Sequence, residues 1–141
     1  MLHRPFVAFL VVVLALVVVG CGGDDGSETE AAPADEPQAE ILITTDCGSE
    51  VLVEKTGVTV GQTAMQALDR VADVETDSGG KFVTAVEGVE QDEGKKLAWL
   101  FYVNGKMAEK GAAEIKLKDG DVEWWDLHNW EATCTVPVEA E

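Results

Sequence analysis

The chain is short of positive charge. Its 141 residues carry 10 Lys plus Arg against 27 Asp plus Glu, a formal net charge of −17 at pH 7. So acidic a surface repels phosphate backbones and anionic headgroups, which argues against nucleic acid as a partner and against adsorption to lipid by charge. Histidine is scarce as well, with His3 near the start and His128 the one other. Structural zinc usually takes four Cys or His ligands, so no metal site is expected. Hydrolysis suffers from the same shortage: His128 would have to serve Ser49 or Ser78, both in turn-like sequence without a nucleophile elbow. Gly79-Gly80 lacks the lysine and hydroxyl of a phosphate-binding loop. Neither an enzyme nor a cofactor is expected.

A membrane-spanning run is also missing. The apolar stretch from Phe6 to Val19 follows His3 and Arg4 and falls short of the roughly 20 residues a spanning helix needs. That pattern is an export signal. It ends in Val18-Val19-Gly20-Cys21, which resembles the bacterial lipobox, so residues 1–20 are expected to be a lipoprotein signal peptide and Cys21 the lipid attachment site. An ordinary cleaved signal and an uncleaved anchor are the alternatives. Acyl chains contribute about 0.8 kcal/mol per buried methylene, so two or more give stable anchoring. The expected location is the extracytoplasmic face of the cell membrane, held through the lipid anchor only.

Loss of residues 1–20 removes Arg4 and leaves a formal charge of −18. Residues 22–40, "GGDDGSETEAAPADEPQAE", contain seven acids, two prolines and no large apolar residue. Such a segment cannot build a core, and residues 21–40 read as an acidic, disordered tether reaching up to roughly 60 Å. Beyond it stand Cys47 and Cys134, an even pair in an exported chain. One disulfide is the expected reading, with two buried free thiols as the alternative.

From Ile41 the pattern changes to short strands separated by turns. "ILITTD" and "EVLVEK" flank Cys47-Gly48-Ser49 as a hairpin, and Ala64, Leu68, Val71 and Ala72 fall at helical spacing behind Thr63, a candidate N-cap. Strand-like units follow at "FVTAVEGV", "LAWLFYV", "AAEIKL", "DVEWWDLHNW" and "EATCTVPV", with Asn104-Gly105 as a strong hairpin signal. The order predicts an α+β domain over residues 41–141, a β-grasp-like mixed sheet with one main helix packed on one face.

One helix covers one face, yet two strands are apolar on both. Trp99, Phe101 and Val103 oppose Leu100 and Tyr102, and Val122 and Trp124 oppose Trp125 and Leu127. The expectation is that Trp124 joins Val122 in the core while Trp125 lies on a second, aromatic surface.

The succession "DVETDSGGKFV", "WLFYVNG", "KGAAEIKLKDGDVEWWD" and "HNWEA" resembles the transcobalamin-like C-terminal domain family of bacterial surface proteins. The resemblance runs from about Ile41 to Pro137. It implies a small β-rich domain like the one that closes over the corrinoid in vertebrate cobalamin carriers, against a second, helical domain. A helical half is not expected within these residues. Cys47 and Cys134 depart from the family pattern, which has apolar residues there.

Two functional readings remain. In the first, Tyr102, Trp125 and Trp130 stack on a flat small molecule, cobalamin-like under the resemblance, with His128 and Asn129 as polar contacts. In the second, the same aromatics bind a surface protein or transporter component. The plain alternative is that a loop, the tether or the last strand covers them.

Overall fold

A computed structural model of the chain describes residues 36–135. The expected signal peptide, Cys21 and the tether up to Asp35 lie outside the described residues, as does the end of "EATCTVPV".

The elements in order are β1 (Gln38–Thr45), β2 (Glu50–Thr59), α1 (Ala64–Val71), β3 (Val74–Thr76), β4 (Val83–Val86), β5 (Val89–Glu90), a 3-10 turn (Glu93–Lys95), β6 (Leu97–Val103), β7 (Lys106–Met107) and β8 (Val122–Asn129). Five of the strands form one sheet in the order β2-β1-β8-β6-β7, with β1 parallel to β8 and the other pairs antiparallel. The fold is thus mixed α+β with a single helix among the described residues. A second sheet, β3-β4-β5, was not anticipated. β1 also begins three residues inside the expected tether, because Ala39 is small enough to enter the core and is fully buried.

Helix α1 is fixed at its start by sequence-local and distant groups together. The Thr63 hydroxyl accepts from Gln66 N at 3.2 Å and the Gln66 side chain accepts from Thr63 N at 3.0 Å, a capping box. The other free N–H groups of the first turn, on Ala64 and Met65, donate to Ile115 O and Ala112 O. "AAEIKL" is therefore not a strand but the loop that closes the helix N-terminus, with Ala112 and Leu117 buried beneath it.

The two faces of the large sheet follow from its register. Ile43 pairs with Trp125, Trp125 with Phe101 and Leu127 with Trp99, so these side chains share a face. That face meets Ala64, Ala67 and Leu68 of α1 together with Val83 and Val86 of the small sheet, and the core lies between. Trp125 is in this core, and Trp124, on the opposite face of the sheet, is buried as well, so the expected contrast between a core Trp124 and a surface Trp125 is corrected: each face covers its own indole. No bulge intervenes, since the pairing runs unbroken from Glu123 to Leu127 on both sides of β8. Alternation says that adjacent residues part; it does not say which side the helix takes.

The hairpin signal at Asn104-Gly105 holds, with φ of 51° and 76°. Asn104 does more than turn the chain. Its side chain donates to Asp121 at 2.8 Å and accepts from Val122 N at 2.9 Å, tying the β6–β7 turn to the start of β8.

Candidate functional site

On the core side, Phe101 and Trp125 stack with centroids 4.7 Å apart and planes at 17°. The Trp99 indole donates to Val89 O at 3.0 Å, which fastens β6 to the small sheet. Where the two sheets part, these three rings line a cleft of about 270 Å³ that is completed by Phe82, Met107 and the 108–112 loop.

The outer wall of that cleft is apolar and open to water. Phe82 is 71% exposed and Met107 54%. Phe82 is nonetheless held in place: Asp77 accepts from Lys81 N at 2.9 Å and Phe82 N at 3.2 Å, and Asp77 N donates to Phe82 O. Those backbone donors, Lys81 first, hold the Asp77 carboxyl below its usual range. A rigid turn thus presents an aromatic ring to solvent. Lys81 and Lys110 stand on the rim with Glu109, a local excess of positive charge in a chain where acids dominate.

The opposite face of the sheet is polar and aromatic, and it is buried too. Trp124 pairs with Tyr102, rings 4.7 Å apart, and donates its indole N–H to Thr44 Oγ1 at 2.7 Å. Thr44 directs its own hydroxyl proton to Asp126 Oδ2 in a short bond. Asp46, Cys47 and Gly48 all take positive φ, which curls the β1–β2 turn so that Cys47 N and Gly48 N donate to the Asp126 carboxylate at 3.0 and 2.9 Å. His128 Nδ1 lies 2.7 Å from Asp126 Oδ1 and Nε2 lies 3.4 Å from the Tyr102 hydroxyl. With Nδ1–H donating to the carboxylate, Nε2 is the acceptor for Tyr102. Burial, and then the Asp126 charge, push the Tyr102 phenol above its ordinary value. Cys47 is bonded to Cys134, with Cα atoms 5.1 Å apart.

The sequence-predicted residues do not form one surface. Trp125 lines the aromatic cleft, whereas Tyr102 and His128 belong to the polar cluster behind it. His128 and Asn129 also border a second cleft, of about 430 Å³, with Cys47, Leu97 and Leu127. Trp130 sits past the end of β8, 46% exposed, its N–H on Lys96 O. The sequence reading missed Phe82 and Met107 as the exposed wall, and Thr44 and Asp126 as the centre of the polar cluster. Phe82 carried one signal, a large aromatic shortly after a glycine turn. Asp126 carried the D-x-H spacing that puts two polar groups on one strand face.

Behind Trp125 stands Glu123, wholly buried on the core face. Its Oε1 accepts from the Trp125 indole, while Oε2 has no hydrogen-bond partner among the described residues. Burial pushes this carboxyl up to about 8.

Residues 61–129 match the family described as "Domain of unknown function (DUF4430)", a transcobalamin-like domain family. Among solved structures, the chain is similar to a putative metal binding protein from Ruminococcus gnavus ATCC 29149, with a TM-score of 0.54 and 20% identity over 67% of this chain and 98% of that one. It is also similar to haptocorrin in complex with Cbi, with a TM-score of 0.52 and 11% identity over 67% of this chain. That match spans 25% of the haptocorrin chain. No curated protein matches.

Proposed function

We propose that the transcobalamin-like (DUF4430) domain of this chain captures a planar small molecule in the cleft between its two sheets. The observation that carries the reading is the wall of Phe82 and Met107, two large apolar side chains exposed at the mouth of a cleft already lined by Trp99, Phe101 and Trp125. Exposed apolar groups gathered at one concave place are a binding feature, whereas single ones are ordinary. The rim lysines can donate hydrogen bonds to polar substituents around a flat macrocycle. A corrinoid-like molecule, with amide side chains around its ring, has that form, and the likeness to haptocorrin in complex with Cbi supports it. A half-open cleft of this volume covers one side of such a ligand, so a second protein surface is the natural complement. We read the sheet order, with β1 and β8 parallel at its middle, as β-grasp-like.

The test is titration of the soluble domain with corrinoids and other tetrapyrroles, following tryptophan emission with correction for ligand absorption. Saturable quenching is expected, and Phe82→Asp should weaken it by tenfold or more with thermal stability unchanged, because Phe82 contributes little buried area to the fold. Quenching that survives in Phe82→Asp and Met107→Asp would exclude this cleft. Capture of a specific surface protein, lost in Phe82→Asp, would favour the interaction-module reading instead.

The proposal extends to location. "VVGC" after a short apolar run supports lipidation at Cys21 and display on the outer face of the membrane, with the acidic segment as spacer. Cys21→Ser is expected to leave an unprocessed precursor or to release the domain from the detergent phase. A membrane-bound mature protein of unchanged mass would contradict it.

A further inference from the structure

We propose that Cys47, Cys134, Asp126 and His128 form a binding site for a thiophilic divalent cation, such as Zn²⁺, whenever the Cys47–Cys134 bond is reduced. Each of the four offers one ligand atom, and these atoms lie within 4.8 Å of one another. They arrive from three places in the chain: the turn after β1, neighbouring positions on one face of β8, and the segment beyond it. The sulfur, imidazole and carboxylate donors are those that zinc takes in four-coordinate sites. Counting histidines could not reveal this set, because it uses one histidine and an aspartate.

The arrangement is held by bonds other than the disulfide. Cys47 N and Gly48 N donate to Asp126, Thr44 Oγ1 donates to it as well, and His128 Nδ1 completes its shell. Opening the sulfur–sulfur bond leaves all of these contacts in place, so Cys47 stays beside Asp126. Asp126 and His128 are almost wholly buried, which withholds water from a bound cation. Cys47 and His128 also border the cleft of about 430 Å³, which gives an entry path.

A dithiol reductant supplies two electrons and two protons; its sulfurs close their own disulfide, the Cys47–Cys134 bond opens, and each freed sulfur takes a proton. A divalent cation then displaces both thiol protons and binds two thiolates, the Asp126 carboxylate and one nitrogen of the neutral His128 imidazole. If that nitrogen is Nδ1, its proton passes to Nε2, which then donates to the Tyr102 hydroxyl oxygen. Reoxidation by a disulfide acceptor removes two electrons from the thiolates, closes the bond and expels the cation. Disulfide and cation are therefore mutually exclusive occupants of one place.

The experiment uses the full-length chain with Cys21→Ser, in detergent, so that Cys47 and Cys134 are its only thiols. Half is reduced with a phosphine and desalted without oxygen; both halves are titrated with Co²⁺. The reduced form is expected to bind one equivalent, with a thiolate-to-cobalt charge-transfer band and intense tetrahedral visible bands that Zn²⁺ abolishes. The oxidised form should give neither. His128→Ala should lower the affinity at least tenfold and keep the charge-transfer band, and Cys134→Ser should weaken that band. The proposal is overturned if the reduced chain gives no charge-transfer band, or if oxidised and reduced chains give the same spectrum. Should reduction unfold the domain, recovery of the native circular dichroism on adding Zn²⁺ supports the site, and failure to recover overturns it.

Discussion

Trp125→Ala is expected to lower the unfolding free energy by about 3 to 5 kcal/mol, the range for a large-to-small change at a buried aromatic. Two losses combine there. The stacked contact with Phe101 and the packing in the core go first. The second is electrostatic: the Trp125 indole is the hydrogen-bond partner of Glu123, whose other oxygen already has none among the described residues. Truncation would leave a buried carboxyl with no donor at all, and such a group costs roughly 1 to 3 kcal/mol. Trp125→Phe separates the two contributions, since it keeps a ring in the core and removes the donor; a loss of about 1 to 2 kcal/mol is expected. Urea denaturation followed by far-ultraviolet circular dichroism measures both without relying on the substituted fluorophore. A Trp125→Ala variant as stable as the parent would remove Trp125 from the core.

The second large effect is a dependence of stability on pH that runs opposite to ordinary acid denaturation. Glu123 is pushed by burial from 4.5 up to about 8 in the folded state. Below about 4.5 both folded and unfolded chains hold the proton, and the contribution to stability is complete. Between there and about 8 the unfolded chain has ionised while the folded chain keeps its proton, so stability falls with rising pH. Above about 8 the loss is full. At 1.36 kcal/mol for each unit of displacement, the total is of order 3 to 5 kcal/mol. The remaining carboxylates add their own pH dependence, so the useful quantity is the difference between the parent and Glu123→Gln. The amide keeps an acceptor for the Trp125 indole and cannot ionise. Glu123→Gln should gain on the parent steadily from about pH 5 to about pH 8.5 in denaturant midpoint. A constant difference across that range would mean that Glu123 is ionised in the folded protein.

What could be read in the sequence was local. The Asn104-Gly105 turn and the Thr63 cap are set by the conformational demands of a few adjacent residues, and both are in the structure. The small sheet escaped as a sheet: its strands are three, four and two residues long, and "FVTAVEGV", read as one strand-like unit, holds β4, a turn at Glu87-Gly88 and the start of β5. Period-two alternation has no room to declare itself over so few positions. "AAEIKL" looked like a strand because Ala, Ile and Leu alternate with polar residues, yet its carbonyls are taken by the start of α1. The pairing of Cys47 with Cys134 was legible from the even pair of cysteines left beyond an expected export signal. The polar cluster around it was not, because Thr44 and Asp126 stand 82 positions apart and meet only through the parallel pairing of β1 with β8. The exposed wall at Phe82 was hidden for a related reason: sequence marks a ring after a turn, and only the packing of two sheets makes that ring the lip of a cleft.

A ligand that enters on the Trp125 side of the large sheet should report itself directly through the chain's four tryptophans. Each indole N–H gives its own cross-peak in a nitrogen-15 correlation spectrum. Trp99 and Trp125 line the aromatic cleft, Trp124 lies on the opposite face bonded to Thr44, and Trp130 stands beyond the end of β8. On titration with a corrinoid or other tetrapyrrole, the Trp99 and Trp125 indole peaks should shift together and saturate, while those of Trp124 and Trp130 stay in place. If Trp124 and Trp130 move instead and the cleft pair does not, the binding surface is on the other face of the sheet and the cleft between the sheets is not the site of capture.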